Sequence, residues 1–176
     1  MANNFFIYKN LKIGKSLVEE NTNEIIKTIY EKANKNKCKI IIPEDCMVGS
    51  SFTSDGINKD INTIEDNDII LDIGPKTMKG IKKIIDQSNT VLWNGPAGYF
   101  ENDNFKIGTM SIAKAISKNT VTKSLISILG GGDTLDAIKT LGFQYTDFNF
   151  ASTGGGAMLN FLATVTHPLL SVIINS

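Results

Sequence analysis

The stretch Leu92-Trp93-Asn94-Gly95-Pro96-Ala97-Gly98-Tyr99-Phe100-Glu101 decides the predicted fold. The apolar run from Thr90 to Trp93 has the composition of a buried strand. This strand must end at Asn94-Gly95-Pro96, because neither a strand nor a helix interior accommodates such a turn. Glu101 follows where the chain leaves the sheet, at the carboxyl edge at which parallel α/β proteins bind ligands.

Two later stretches repeat this pattern of a strand followed by glycines. Ser124 to Leu129 leads into Gly130-Gly131-Gly132-Asp133-Thr134, and Phe148 to Ala151 leads into Ser152-Thr153-Gly154-Gly155-Gly156-Ala157. Glycines before a helix let phosphate oxygens approach its unpaired N–H groups without a Cβ in the way. Three such transitions facing one edge therefore indicate a phosphate site.

Apolar periodicity predicts the remaining elements. Helices are predicted over Glu19 to Lys37, after Gly74-Pro75 with Thr77 as N-cap, over Lys106 to Ser117, over Leu135 to Leu141 with Gly142 at C′, and over Ala157 to Ala163. Buried strands are predicted at Lys39 to Ile42 and Asp68 to Ile73, with Gly49 to Asp68 as a polar surface excursion whose acidic residues are solvated. The alternation predicts an α/β fold, a three-layer, Rossmann-like, doubly wound parallel sheet of roughly five strands with helices on both faces.

Individual side chains are expected to fill the core of this fold. The buried helix faces are predicted to carry Ile25, Ile26, Ile29 and Ala33 in the first long helix and Met78, Ile81, Ile84 and Ile85 in the next. Cys38 and Cys46 flank a predicted strand and read as small buried residues. Two free thiols in a chain of this type favour the reducing cytoplasm.

Composition excludes several classes of function. The chain has 176 residues, 41% hydrophobic and 20% charged, which is ordinary for a soluble globular protein, and its formal net charge is zero. This charge gives no reason to expect a nucleic acid or an acidic membrane surface as partner. No stretch is long and apolar enough to span a bilayer, and the N-terminus does not have the pattern of a signal peptide.

The glycine loops leave alternatives open when they are read from residues alone. Asp133 is an oxygen ligand suited to Mg²⁺, and Thr134 could donate to a phosphate, but either side chain could instead only cap the following helix. No Gly-Lys-Ser/Thr follows at Walker A spacing, and Leu135 and Leu159 stand where G-x-G-x-x-G requires its third glycine. Ordinary P-loop NTPases and NAD-dependent dehydrogenases are therefore disfavoured.

Taken in order, WNGPAGYFE, GGGDT and STGGGA resemble the motifs of the phosphoglycerate kinase family. The resemblance extends upstream through Ile13-Gly14-Lys15-Ser16-Leu17, Pro43-Glu44-Asp45 and Leu71-Asp72-Ile73-Gly74-Pro75-Lys76. It covers residues 1–160 and only the nucleotide-binding, C-terminal half of that two-domain family. Residues 161–176, which include His167, are expected to form a divergent tail without a functional role.

The resemblance implies a magnesium-dependent phosphotransferase that acts on a carboxyl group, exchanging a phosphoryl group between 1,3-bisphosphoglycerate and ADP. It implies ATP/ADP contacts at Leu17, Leu71, Asn94, Pro96, Gly98, Tyr99, Glu101, Gly130, Gly131, Gly132, Asp133 and Thr134, with Asp133 also on Mg²⁺. It further implies that Gly154, Gly155 and Gly156 form a helix N-terminus facing the transferring phosphoryl group. Without the resemblance, Leu17 and Leu71 could equally be core leucines and Glu101 a solvated loop carboxylate.

The same resemblance implies that parts of the family protein are missing here. The first βα units, a lysine-bearing glycine loop and the arginine-rich first domain have no counterpart, and all 18 basic residues of this chain are lysine. We therefore expect the isolated chain to be inactive unless a separately encoded N-terminal domain binds the phosphoglycerate. The alternatives are a non-catalytic decayed remnant and a stand-alone nucleotide-binding module.

Overall fold

Two three-stranded sheets organise the chain, one antiparallel and one parallel. The structure is a computed structural model, and it describes residues 1–164. Of these, residues 1–81 and 97–108 form a first compact unit, and residues 82–96 and 109–164 form a second. The tail expected from residue 161 starts inside the last described helix, and His167 lies outside the described residues.

The described chain contains six helices and six strands, which alternate strictly only from β3 onward. The helices are α1 Ala2–Tyr8, α2 Asn23–Lys35, α3 Pro75–Gln87, α4 Ile107–Lys123, α5 Gly132–Thr140 and α6 Gly155–Thr164. The strands are β1 Asp45–Gly49, β2 Ile57–Asp60, β3 Ile69–Ile73, β4 Thr90–Asn94, β5 Ile126–Gly130 and β6 Phe150–Ser152. Short 3₁₀ turns lie at Ile61–Thr63 and Tyr145–Asp147.

The sheet of the first unit has the order β2-β1-β3, with β1 antiparallel to both neighbours. Its buried side chains pack with those of α1 and of the turn after β2 into one apolar cluster of Phe6, Cys46, Val48, Ile61 and Ile64. This core explains why Cys46 is buried, and the apolar surroundings raise the pKa of its thiol to about 12. Cys46 is therefore an inert core residue.

The sequence-based prediction for this unit was partly wrong. Residues 39–42 form no strand, and the strand begins three residues later, at Asp45. The stretch from Gly49 to Asp68, predicted as a surface excursion, contains β2 and the buried Ile61 and Ile64. Asp68 is 14% exposed and pairs with Lys59 at 2.8 Å, so it is not a solvated carboxylate.

A buried carboxylate, rather than the predicted Thr77 cap, holds the N-terminus of α3. Asp45 on β1 accepts hydrogen bonds from the backbone N–H groups of Lys76 (2.9 Å) and Thr77 (2.8 Å) and from the Thr77 hydroxyl (2.7 Å). Burial raises the pKa of Asp45, but these hydrogen bonds outweigh it and hold the pKa below its ordinary value. The strand and the helix are thus joined by one ionised side chain.

Several apolar side chains predicted to be buried lie at the surface. In α2, Ile26 and Ala33 are buried, but Ile25 and Ile29 are exposed. Ile84 of α3 and Cys38 are exposed as well. The periodicity predicted helices α2 and α3 correctly. The apolar face of each helix is wider, however, than the part of it that other described residues cover.

The second unit holds the parallel sheet, in the order β4-β5-β6. The register aligns Asn94 with Gly130 and Gly130 with Ser152, so the three strands end at one edge. The Ser127 side chain on β5 hydrogen-bonds the Thr120 hydroxyl of α4 (2.9 Å) and the Asn149 side chain (3.1 Å). These contacts tie the helix and the next strand to β5.

The parallel α/β architecture predicted from the sequence is confirmed for this unit. The predicted strands at Thr90, Ser124 and Phe148 and the helices after them all occur, with boundaries shifted by a few residues. Gly142 follows the end of α5 with a φ of +83°, as the C′ prediction requires. The single parallel sheet was wrong for the first unit, whose strands run antiparallel. β4 was predicted to be buried, but of its residues only Trp93 is.

No helix within residues 1–164 is both long enough and apolar enough to cross a membrane.

We expect Asp45→Ala to lower the free energy of unfolding by about 2–4 kcal/mol, because two helix N–H groups and the buried Thr77 hydroxyl lose their acceptor. Urea unfolding followed by far-UV circular dichroism measures the change. Asp55→Ala is the control, since Asp55 is exposed, and it should stay within about 0.5 kcal/mol of the parent. Equal losses in the two variants would contradict the capping role of Asp45.

Candidate phosphate-binding edge

The three glycine-bearing segments of the second unit converge at the carboxyl edge of its parallel sheet. A Cβ on Gly155 would lie 2.7 Å from the Cα of Gly131 and 3.2 Å from the Asn94 side-chain oxygen, and a Cβ on Gly131 would lie 2.6 Å from that same oxygen. Gly131 also has a φ of +94°, which side chains rarely adopt. Only glycine fits these two positions, and the segments meet because both are glycine.

Thr134 locks two of these segments together. Its hydroxyl donates to the Gly130 carbonyl (2.8 Å) and accepts from the Gly95 N–H (2.7 Å), and the side chain is fully buried. Trp93 supports the same turn, because its indole N–H donates to the Gly95 carbonyl at 2.7 Å. Thr134 is therefore placed to hold the turn after β4 against the end of β5.

The N-termini of α5 and α6 open at this edge. Gly131 is the N-cap of α5, and no side chain makes a capping hydrogen bond there, so the reading of Asp133 or Thr134 as a simple cap is wrong. The first N–H groups of α5, at Gly132 and Asp133, have no intrahelical partner by the geometry of a helix start. With the positive end of the helix dipole they form a local environment that favours an anion.

This edge offers one carboxylate, which suits a metal ion whose remaining ligands are water molecules and phosphate oxygens. Asp133 is exposed and belongs to none of the ion pairs seen within residues 1–164. In the described part of the chain, no group of three or more His, Cys, Asp or Glu side chains could hold a metal. A single free carboxylate suits Mg²⁺, which keeps several waters and shares substrate phosphates.

Pro96 belongs to the second unit, and the first unit holds Leu17, Leu71, Gly98, Tyr99 and Glu101. The Tyr99 N–H donates to the Leu71 carbonyl (2.7 Å), and the Tyr99 ring contacts Phe52 edge-on, with centroids 5.3 Å apart. Glu101 is exposed, which agrees both with a nucleotide contact and with a solvated loop carboxylate. Leu17 is 81% exposed, which excludes the core reading, whereas Leu71 is 6% exposed and packs as a core residue.

Sequence reasoning missed Asp72, a buried carboxyl group beside the segment that carries Tyr99 and Glu101. Its carboxylate accepts the N–H of Gly108 at the start of α4 (2.7 Å) and that of Ile73 (2.8 Å). A Cβ on Gly98 or on Gly108 would overlap this carboxylate. Burial raises the pKa of Asp72 to about 6, against the lowering effect of the two backbone hydrogen bonds. The sequence signal that could have indicated a buried carboxyl group is the position of this acid within the apolar run Ile69 to Ile73.

The structure therefore groups the predicted residues in two sets. Asn94, residues 130–134 and residues 154–156 come together in the second unit. Leu71, Gly98 and Tyr99 lie near one another in the first, around Asp72 and the end of β3.

A parallel sheet with helices and with glycine segments at its carboxyl edge defines a Rossmann-like α/β protein. Comparison with known proteins narrows this class. The family model of phosphoglycerate kinase matches residues 1–164, and the chain belongs to that family.

Individual relatives agree with this assignment. The chain is 46% identical over 164 residues to a phosphoglycerate kinase of Wolbachia pipientis from Culex pipiens and 43% identical over 172 residues to that of Orientia tsutsugamushi. The structure of phosphoglycerate kinase from Coxiella burnetii superimposes with a TM-score of 0.84 at 35% identity over 92% of this chain. The chain spans 41–42% of the length of these three relatives.

We expect Asp72 to make the protein less stable as the pH rises from about 4 to about 6. A carboxyl group whose pKa is raised by folding binds its proton more tightly in the native state, so stability falls as that proton is lost. A pKa raised from 3.8 to about 6 corresponds to about 3 kcal/mol. Asp72→Asn should remove this decrease, measured as the difference in urea unfolding between variant and parent across the window.

Asp136→Asn is the matched control, because Asp136 is an exposed carboxylate. Its pH profile should follow that of the parent. A parent profile that Asp72→Asn leaves unchanged would show that Asp72 ionises normally.

We expect Thr134→Val to lower the free energy of unfolding by about 2–3 kcal/mol, because the Gly95 N–H and the Gly130 carbonyl lose a buried partner. Thr134→Ser keeps the hydroxyl and should cost only about 1 kcal/mol. Fluorescence of Trp93, which contacts the same turn, follows the unfolding. Equal losses in the two variants would assign the effect to the methyl group and not to the hydrogen bonds.

Proposed function

We propose that this chain is the nucleotide-binding half of a phosphoglycerate kinase, and that it holds ATP or ADP with Mg²⁺. The observation that carries the proposal is the convergence of Asn94, Gly131 and Gly155 at one edge of the parallel sheet. Backbones this close, with two helix N-termini beside them, provide N–H donors for phosphate oxygens and little room for anything bulkier. The family match supports the choice of a nucleotide as the phosphate-bearing ligand.

In this proposal α5 receives the nucleotide phosphates. The N–H groups of Gly132 and Asp133 donate to phosphate oxygens, and the Asp133 carboxylate holds Mg²⁺ directly or through water. The metal supplies positive charge that neutralises the phosphate oxygens during transfer. Thr134, whose hydroxyl is already engaged by two backbone groups, positions this segment.

The N-terminus of α6, at Gly154, Gly155 and Gly156, is proposed to face the transferring phosphoryl group. Gly155 is buried against Gly131, whereas Gly156 is exposed and its N–H lies in the first turn of α6. Phosphoryl transfer depends mostly on positioning and on charge stabilisation. A helix N-terminus contributes to both without a reactive side chain.

The adenine and ribose contacts stay predictions from the family resemblance. The residues concerned are Leu17, Leu71, Asn94, Pro96, Gly98, Tyr99 and Glu101. The exposure of Leu17 and Glu101 leaves both side chains available for a ligand. Leu71 is 6% exposed, so a contact from it would involve only a small part of its side chain.

We propose that the chain alone does not turn over. The complete reaction is the glycolytic exchange of a phosphoryl group between 1,3-bisphosphoglycerate and ADP, and its acceptor in the reverse direction is a carboxylate. Binding such an acid favours the forked guanidinium of arginine, and all 18 basic residues here are lysine. A separately encoded domain that binds the phosphoglycerate would complete the site, in the cytoplasm, where the thiols of Cys38 and Cys46 stay reduced.

We expect a calorimetric titration of the purified chain with Mg-ADP to give saturable binding that Asp133→Ala weakens at least about ten-fold, the loss of about 1.4 kcal/mol. The lost interaction is that of the carboxylate with the metal. Asp136→Ala is the matched control, because it removes an exposed carboxylate from the same helix and should leave the affinity unchanged.

The outcomes of this titration test nucleotide binding, the role of Asp133 and the need for a second domain. A folded parent chain that gives no heat would contradict nucleotide binding and favour the decayed remnant. Equal affinities for both alanine variants would remove Asp133 from the metal site. Binding by the chain together with turnover of ATP and 3-phosphoglycerate would contradict the requirement for a second domain.

A further inference from the structure

The segment from Gly98 to Gly108 carries Tyr99 and Glu101, two of the expected nucleotide contacts, and one carboxylate lies against both of its ends. The Oδ2 atom of Asp72 accepts the N–H of Gly108 at 2.7 Å. At the other end, a Cβ on Gly98 would lie 2.3 Å from the Oδ1 atom of Asp72. The carboxylate therefore fills the space between the two ends of the segment and bonds one of them directly.

These contacts lie in the interior of the first unit. Asp72 is 2% exposed, and it belongs to the same compact unit as residues 97–108. The preceding residue of β3 also holds the segment, because the Leu71 carbonyl accepts the N–H of Tyr99 at 2.7 Å. Further chain packed on this unit could add to the burial of Asp72 but would not expose it. The anchor is thus a property of the described residues themselves.

The charge of the Asp72 carboxyl group decides how firmly it holds its partners. In the ionised form both oxygens are acceptors, Oδ1 for the N–H of Ile73 at 2.8 Å and Oδ2 for that of Gly108. Protonation places a hydrogen on one of these oxygens and turns it into a donor, although it faces an N–H group. Hydrogen bonds to a charged acceptor are also about twice as strong as those to a neutral one. Protonation therefore weakens the anchor.

The charge state of Asp72 is set mainly by its immediate surroundings. The other charged or titratable side chains on β1 and on residues 97–108 are Asp45, Cys46, Tyr99, Glu101, Asp103 and Lys106. Of these, Cys46 keeps its proton, because burial and the charges of Asp45 and Asp72 raise the pKa of its thiol to about 12. Lys106 pairs with Asp103. Burial, opposed by the two N–H groups, brings the pKa of Asp72 to about 6.

We propose that Asp72 is a positioning residue of the nucleotide site, whose ionised carboxylate holds the segment from Gly98 to Gly108 in the conformation that binds ADP. This inference rests on the proposed function, which makes Tyr99 and Glu101 nucleotide contacts. Protonation of Asp72 loosens the segment, and Mg-ADP then binds more weakly. The fold as a whole responds in the opposite direction, because protonation removes a buried charge and stabilises it.

Calorimetric titration of the chain with Mg-ADP at about pH 5, 6 and 7 tests the effect on binding. At about pH 7, Asp72→Asn should bind about ten-fold more weakly than the parent, since it lacks the charged acceptor. At about pH 5, only about a tenth of the parent is ionised, because the pKa of Asp72 is about 6, and the difference should shrink to about two-fold. Comparing the two proteins at each pH cancels the titration of ADP itself.

Asp103→Asn is the matched control, because it makes the same substitution on the same segment at a side chain that is 89% exposed. Its affinity for Mg-ADP should stay within about two-fold of the parent at every pH, as expected of a surface substitution. A loss of affinity that follows from general destabilisation would be largest where the parent fold is least stable. Urea unfolding of each variant at the same pH values separates that effect from positioning.

Amide hydrogen exchange measures the anchor in the absence of nucleotide. After correction for the intrinsic exchange rate, protection of the Gly108 N–H in the parent should fall about five-fold from about pH 7 to about pH 5. In Asp72→Asn it should stay constant. The Gly74 N–H, which donates to the Asp45 carbonyl at 2.8 Å, is the reference and should not lose protection over this range.

Two results overturn the proposal while the proposed function stands. One is a parent that binds Mg-ADP with the same advantage over Asp72→Asn at all three pH values. The other is protection of the Gly108 N–H that does not fall towards acid pH. A folded parent that gives no heat with Mg-ADP overturns the proposed function itself, and Asp72 is then an anchor of the segment without a role in binding.

Discussion

The close approach of backbone to backbone at the carboxyl edge is the constraint on which the second unit depends. Gly155 lies so near Gly131 that a Cβ would meet the main chain, and both face the Asn94 side chain. The Thr134 hydroxyl holds the turn at Gly95 in this arrangement by bonding two main-chain groups at once. Because the strands are fixed in register by their ladder, the three segments have little freedom to separate. The carboxyl edge of the sheet therefore presents backbone N–H donors and few side chains.

In the first unit, two strand carboxylates have the equivalent role. Asp45 on β1 accepts N–H groups at the start of α3, and Asp72 on β3 accepts one at the start of α4. Their environments differ, and so do their pKa values. Asp45 is compensated by the Thr77 hydroxyl and keeps a lowered pKa, whereas burial dominates at Asp72 and raises the pKa to about 6. Hydrogen bonds from helix N–H groups thus favour the ionised form of both carboxyl groups, but at Asp72 burial outweighs them.

Much of the second unit could be predicted from the sequence, because its signals are local. A short run with apolar residues, followed by glycines, marks each parallel strand and its end, and the three ends together predicted the candidate edge. The first unit was harder, since β1 begins at Asp45, whose side chain is paired across the fold with a helix, and the apolar residues 39–42 before it form no strand. The hydrogen bonds of Asp72 with Gly108 and of Thr134 with Gly95 were missed for the same reason. Their partners are distant in sequence, and no periodicity encodes such pairs.

The position of Asp72 also determines how the segment from Gly98 to Gly108 is held. Its carboxylate lies against both ends of that segment, and the fully buried ring of Phe105 anchors the segment beside Gly49 and Gly56. The segment is therefore a compact Ω-loop whose ends are already joined, with the entropy of loop closure lost when the protein folds. Tyr99 and Glu101 are carried on this closed loop. A ligand that contacts them meets groups that are ordered in advance, so ordering them costs little of its binding free energy.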